Sequence, residues 1–198
     1  MDTTQFAALI FDCDGTLADT MPAHFRAWTM AVRQFGLELP EERFYALGGV
    51  PVHKIVEILV AEAEVTVDVT SVVEFKEASY LSCLAAVGPV DPVVAIARAH
   101  RGRLPMAVAS GSTRQMVELT LRQIGILDWF DCMVGAEDTE RHKPDPDVFL
   151  EAARRLDVEP TACCVYEDTD TGVKAANRAG MHCVDVRSMV DARRANGS

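Results

Sequence analysis

Short apolar runs recur along this chain at 6–11, 105–109, 131–135, 162–166 and 182–186, and helical periodicity fills most of the intervals between them. Their hydrophobicity is continuous rather than alternating, as in Ala162-Cys163-Cys164-Val165-Tyr166. A strand covered on one face alternates apolar and polar residues; a strand buried on both faces has no reason to. The pattern predicts an α/β fold, a Rossmann-like parallel sheet with helices on both faces. A length of 198 residues suffices for such a core plus a smaller inserted module.

The interval between the first and second runs is too long for one crossover, and residues 20–85 carry helical rather than strand periodicity. It reads as an inserted helical cap at 18–85, with the core formed by 1–17 plus 86–198. A first helix is predicted from Pro22, suited to the first helical position, to a stop at Gly36. Further helices are expected near 41–47, 52–63 and 69–84, and the Gly88-Pro89 break returns the chain to the core. The tail from Asp191 to Ser198 is expected to be poorly ordered.

A net charge of -11 argues against nucleic acid or an anionic membrane as a partner, since both demand a basic footprint. A small ligand or a metal fits better. Of the six cysteines, Cys13, Cys132, Cys163 and Cys164 lie in or beside apolar runs and read as reduced core thiols. No apolar run approaches the roughly 18 residues of a membrane span, and Met1-Asp2-Thr3-Thr4-Gln5 does not open a signal peptide. The chain is expected to be cytoplasmic.

The first run ends in Asp12-Cys13-Asp14-Gly15-Thr16. Positions i and i+2 of a strand project to the same side, so Asp12 and Asp14 can converge where the strand ends, and Gly15 lets the chain turn away. Such a pair could bind Ca²⁺ or cap a helix. An EF-hand fails, because Leu17 and Ala23 stand where its Gly and Glu belong. Paired carboxylates at a strand end point instead to phosphoryl transfer.

Three later segments carry compatible chemistry. Met106-Ala107-Val108-Ala109-Ser110-Gly111-Ser112-Thr113 runs from a strand into small polar residues at a helix start, which suits an anion. Ser112 or Thr113 there also fits ordinary helix capping, and Ser110, lying before the cap, is the candidate phosphate contact with Gly111 beside it. In Arg141-His142-Lys143-Pro144-Asp145-Pro146, Lys143 is a compact cation able to neutralise phosphate oxygens, whereas Arg141 and His142 read as solvated. Glu167-Asp168 follow a buried strand, and hard oxygen ligands beside a phosphate imply Mg²⁺. Asp170 and Thr171 read as caps of the next helix. In open α/β sheets ligands bind beyond the carboxyl ends of the strands, where all four groups can meet.

In this order, Asp12-x-Asp14-Gly15-Thr16, Ser110, Lys143 and Glu167-Asp168 resemble the four motifs of the haloacid dehalogenase superfamily. Asp19-Thr20, His24, Ala27-Trp28, His142-Lys143-Pro144-x-Pro146 and Glu167-Asp168-x-x-x-Gly172 extend the resemblance to its β-phosphoglucomutase-like branch, and Asp19-Thr20-x-Pro22-x-His24, Gly49-x-Pro51 with Lys54, and Arg103-x-Pro105-Met106-Ala107-Val108 bring it closest to the bacterial fructose-1-phosphate phosphatases. The resemblance implies a sheet in the order 5-4-1-2-3 with a small helical cap over the site. It implies Asp12 as nucleophile and Asp14 as acid and then base. Mg²⁺ is expected between Asp12, the backbone carbonyl of Asp14 and Asp168, with Glu167 beside it.

The implied substrate is a small phosphorylated metabolite, and a monomer is the default for this architecture. His24, Gly49, Lys54 and Lys76 are the candidate cap residues. The mutases of this branch usually carry Ser-Arg in the cap loop, where Pro51-Val52 stand here, so hexose-phosphate mutase activity is the second reading. A non-catalytic protein that binds a phosphorylated metabolite is the third.

Overall fold

The computed structural model describes residues 5–48, 50–63 and 65–189. Strands β1 (Ala8–Phe11), β2 (Met106–Ala109), β3 (Cys132–Val134), β4 (Cys163–Glu167) and β5 (His182–Asp185) form one parallel sheet in the order β3-β2-β1-β4-β5. This is the expected order, counted from the other edge. β1 lies at the centre, with Phe11 in register with Val108 on one side and Tyr166 on the other.

Both faces of the sheet are covered, which explains the unbroken apolar runs. Leu9 and Phe11 join Met106, Val108, Cys164 and Tyr166 in a core completed by α5 (Asp91–His100) and α6 (Arg114–Gln123). Ala8 and Ile10 face the other way, against α7 (Asp147–Leu156) and α8 (Asp170–Arg178). Every residue of β1 is fully buried. Each large side chain there stabilises the fold by roughly 1.5–3 kcal/mol relative to exposure. Phe11 also stacks on Tyr166, with ring centroids 4.8 Å apart.

Between β1 and β2 the chain forms α1 (Met21–Phe35), α2 (Glu41–Ala46), α3 (Val52–Ala63) and α4 (Val69–Cys83). Pro22 lies in the first turn of α1, and Gly36 closes that helix in the left-handed region at φ 68°, as its sequence position predicts. Trp28, Val32, Phe44, Ile55, Val56, Leu59 and Val72 form a core of their own within this insertion. A second cluster, including Ala23, Ala27, Tyr80, Val87 and Met116, ties α1 and α4 to α6.

The capping residues differ in part from expectation. Thr113, not Ser112, caps α6 by accepting from the amide of Met116. Thr169, rather than Asp170 or Thr171, caps α8 by accepting from Gly172. An N-cap is extended while its side chain reaches two or three residues on, and Thr169 has that conformation. Gly49 and the tail segment Asp191–Ser198 lie outside the described residues. Among the described residues, no helix is long and apolar enough to cross a membrane.

Candidate active site

The carboxyl ends of the three central strands converge on a buried ammonium group. Beyond β1, the Asp12 amide donates to the Tyr166 carbonyl at 3.0 Å and continues the ladder for one more residue. Beyond β2, the Ser110 amide donates to Val134 in the same way. Lys143 reaches in from the loop before α7, and its Nζ donates to Asp12 Oδ1 at 2.7 Å, Glu167 Oε1 at 2.8 Å and the Ala109 carbonyl at 3.3 Å. An ammonium has three protons to give, so these contacts saturate it.

Glycines make the close approach possible. Gly15 turns the chain at φ 90°, and a Cβ there would collide with the carboxylate of Asp168. A Cβ on Gly172 would run into Glu167. Both remaining contacts of the Glu167 carboxylate are local, since its Oε2 accepts from the amide and the hydroxyl of Thr169. Glu167 thus locks Lys143 to the start of α8.

Negative charge exceeds positive charge at this point. Burial raises Asp12 well above the usual carboxylate range, Lys143 pulls it back, and Glu167, Asp168 and Asp14 raise it further. Burial, followed by the charge on Glu167, pushes Asp168 up to about 7. A divalent cation bound here would offset that excess of negative charge. Asp12, Glu167 and Asp168 can each present an oxygen within 4.8 Å of the others. Lys143 occupies Oδ1 of Asp12, and Thr16 donates to Oδ1 of Asp168 at 2.9 Å. Each retains a second oxygen, whereas both oxygens of Glu167 are engaged. The donor set is all oxygen and fits a hard divalent cation such as Mg²⁺.

Asp14 faces the insertion rather than the cation pocket. Its Oδ2 accepts from Ser112 Oγ at 2.7 Å and Ser110 Oγ at 3.2 Å, and its Oδ1 lies 3.1 Å from His24 Nε2. Lys76 Nζ is 3.2 Å from His24 Nδ1. Lysine has no acceptor, so Nδ1 accepts and the ring proton sits on Nε2, directed at Asp14. Burial, followed by the charge on Lys76, lowers the His24 pKa, against the opposing pull of Asp14. Burial alone would raise Asp14, but the hydrogen bond and charge of His24, followed by the hydrogen bond from Ser112, outweigh it and hold the carboxyl far below its ordinary value. Tyr80 stacks on His24 at 4.0 Å between centroids and fixes the ring.

These groups border a cavity of about 70 Å³. Asp12, Asp14, Ser110, Gly111 and Ser112 form its floor, and Met21, Trp28, Phe44, Leu47, Gly48, Val50 and Val52 line the insertion side with His24 and Lys76. Ser110 is buried and accepts from the Ser112 amide at 3.0 Å. Lys54 does not join them: it is half-exposed and pairs with Glu57 at 2.9 Å. Arg141 pairs with Asp147 at the surface. Ser112, Thr16 and Thr169 are contacts that sequence reading missed, because each also suits a turn or a cap. The Ser110-x-Ser112 spacing was the available signal for a second hydroxyl on Asp14.

The haloacid dehalogenase-like hydrolase family matches residues 6–180. The chain is 39% identical to fructose-1-phosphate phosphatase YqaB of Escherichia coli over 184 residues, covering 92% of this chain and 97% of the relative. It is 31% identical to β-phosphoglucomutase of Bacillus subtilis, over 90% of this chain and 82% of that one. The crystal structure of β-phosphoglucomutase from Clostridium difficile superposes with a TM-score of 0.80 at 24% identity, over 91% of this chain and 84% of that one, a likeness of fold. The chain belongs to the haloacid dehalogenase-like hydrolases, in the β-phosphoglucomutase-like subfamily.

Proposed function

We propose that this protein is a Mg²⁺-dependent phosphatase for a small sugar phosphate, with fructose 1-phosphate the first substrate to test. The observation that carries the reading is the division of two adjacent carboxylates between different partners. Asp12 is held by Lys143 beside the acidic cluster, and Asp14 is held by His24 and Ser112 against the cavity. This division supports Asp12 as the group that meets phosphorus and Asp14 as the group that meets the leaving oxygen. The 39% identity to a fructose-1-phosphate phosphatase supports the substrate.

A phosphate dianion repels a carboxylate, so attack by Asp12 requires compensating charge. Mg²⁺ held by Asp12 and Asp168, with Glu167 keeping Lys143 in place, would supply much of it. Lys143 supplies more by turning the proton of its longest contact, to the Ala109 carbonyl, toward a phosphate oxygen. Ser110 and the amides of Gly111 and Ser112 line the same floor.

A carboxylate oxygen of Asp12 then bonds to phosphorus as the ester P–O bond breaks, and a proton passes from Asp14 to the departing sugar oxygen. In the resting site Asp14 is ionised; an ester dianion beside it raises its proton affinity, so Asp14 takes a proton from solvent as the ester enters and then carries it as the acid. In the second step water attacks the aspartyl-phosphate, Asp14 takes the water proton, and the Asp12–phosphorus bond breaks to release inorganic phosphate. One residue serves as acid and then as base because each step leaves it in the state the next requires.

The test is phosphate release across sugar phosphates, phosphoglycolate and nucleotides with and without Mg²⁺. Selective, Mg²⁺-dependent release from sugar phosphates supports the reading, and no release from any ester overturns it. The mutase reading draws on the 31% identity to β-phosphoglucomutase. A mutase must hold a second phosphate against the cap, and Pro51-Val52 replace the usual Ser-Arg while Lys54 is paired outside the cavity. With β-glucose 1-phosphate and a trace of the bisphosphate, glucose 6-phosphate formed without comparable free phosphate would establish the mutase instead.

A further inference from the structure

Thr171 makes a contact that the phosphatase chemistry does not use. It stands in the first turn of α8, in the core, and its hydroxyl donates to the carbonyl of Gly48 at 3.0 Å. Gly48 belongs to the loop between α2 and α3, in the helical insertion, and lines the cavity. The geometry points to Thr171 as a positioning residue: its hydroxyl latches the cap loop onto the core and sets how readily the cavity opens. This rests on the phosphatase reading for its kinetic consequence, though not for the contact itself.

Two observations give the latch its properties. The loop is already packed where it is held, since a Cβ on Gly48 would lie 3.3 Å from Thr169 Cγ2 and 3.2 Å from the Tyr45 carbonyl. Thr169 in turn binds Glu167, the partner of Lys143, so the loop rests on the segment that anchors the buried cation.

The second observation is that the Thr171 hydroxyl has two possible acceptors. Thr169 Oγ1 lies 3.2 Å from Thr171 Oγ1. Each hydroxyl has one proton, and in this state Thr171 spends its proton on Gly48 while Thr169 directs its own to Glu167. When the loop leaves, the Thr171 proton can rotate to Thr169 Oγ1. The released hydroxyl is then not left unsatisfied, which keeps the latch weak enough to cycle.

Thr171→Val keeps the shape and removes the hydroxyl, Thr171→Ala removes both hydroxyl and methyl, and Thr171→Ser keeps the hydroxyl. Losing one neutral hydrogen bond shifts the closed-to-open ratio by roughly 2- to 10-fold. Residue-resolved amide exchange at Gly48 and Val50 should accelerate by about that factor in Thr171→Val and Thr171→Ala, and Thr171→Ser should match wild type. With p-nitrophenyl phosphate and Mg²⁺, the first two should raise KM by the same factor without lowering kcat, because the chemistry is untouched. Unchanged exchange in either hydroxyl-free variant, or fast exchange in Thr171→Ser, overturns the latch. No turnover by wild type would overturn the phosphatase reading and leave the exchange measurement to decide the latch alone.

Discussion

The two walls of the cavity are built on opposite principles. On the core side, Asp12 and Glu167 reach the cavity and pack charge against charge with Lys143 and Asp168, with Lys143 and Glu167 almost wholly buried. On the insertion side, Trp28, Phe44, Leu47, Val50 and Val52 present hydrocarbon, broken by His24 and Lys76. A phosphoryl group is the same in every ester, so a wall that handles it can be rigid. The leaving group differs from ester to ester, and hydrocarbon discriminates shape only weakly. On the proposed chemistry, rate belongs to the core wall and selection to the cap wall.

Asp12→Asn tests the first half most severely. It removes the proposed nucleophile while keeping its shape, and turnover should fall by about 10⁴-fold or more in phosphate-release assays. A fall of only tenfold would break the assignment of rate to the core wall. Lys143→Met should cost roughly 3–5 kcal/mol in denaturant unfolding, because it leaves Glu167 buried without its partner. Combining it with Glu167→Gln should recover part of that loss, while activity stays low.

Asp14→Asn stands at the boundary between the walls. Turnover should fall by about 10² or more, with binding of inorganic phosphate and Mg²⁺ measured by calorimetry largely retained. The raised pKa of Asp168 gives a pH test of the charge imbalance. A carboxyl at about 7 in the folded state, against an ordinary 3.8, binds protons more tightly folded than unfolded. Metal-free protein should therefore lose stability as pH rises from about 4 to 7. Mg²⁺ should raise the melting temperature more at pH 8 than at pH 5.5, and an equal rise would remove Asp168 from the metal ligands.

The smallest effect is expected on the cap wall. Val52→Ala should shift the kcat/KM ratio between a triose phosphate and a hexose phosphate by about 10-fold while sparing p-nitrophenyl phosphate. A uniform drop on all three esters would mean that this wall carries rate as well.

The two walls were unequally legible in the sequence. The strand runs and their order of polar endings located Asp12, Ser110, Lys143 and the Glu167-Asp168 pair at one sheet edge, because burial on both faces leaves an unmistakable pattern. The helices of the insertion were readable for the same reason, with α3 at Val52–Ala63 as expected from its apolar spacing. Side-chain hydrogen bonds were not readable. Of the two candidate caps of α6, Thr113 takes the role and Ser112 donates to Asp14, while Thr169 takes the capping role expected of Asp170 or Thr171. A hydroxyl satisfies a helix end or a distant carboxylate equally well, and only the packing around it decides. Lys54 does not line the cavity and pairs instead with Glu57, three residues along the same helix.

By itself, the sequence determined the α/β sheet, the helical insertion and the set of groups competent for phosphoryl transfer, since periodicity and residue chemistry are local properties. Tertiary structure alone decided which carboxylate faces which partner. It divided Asp12 from Asp14, turned Glu167 toward Lys143, and brought Thr171 to Gly48 across 123 positions of chain. Those outcomes depend on distances between segments that only the packed sheet and cap bring together, and no local pattern encodes a distance of that kind.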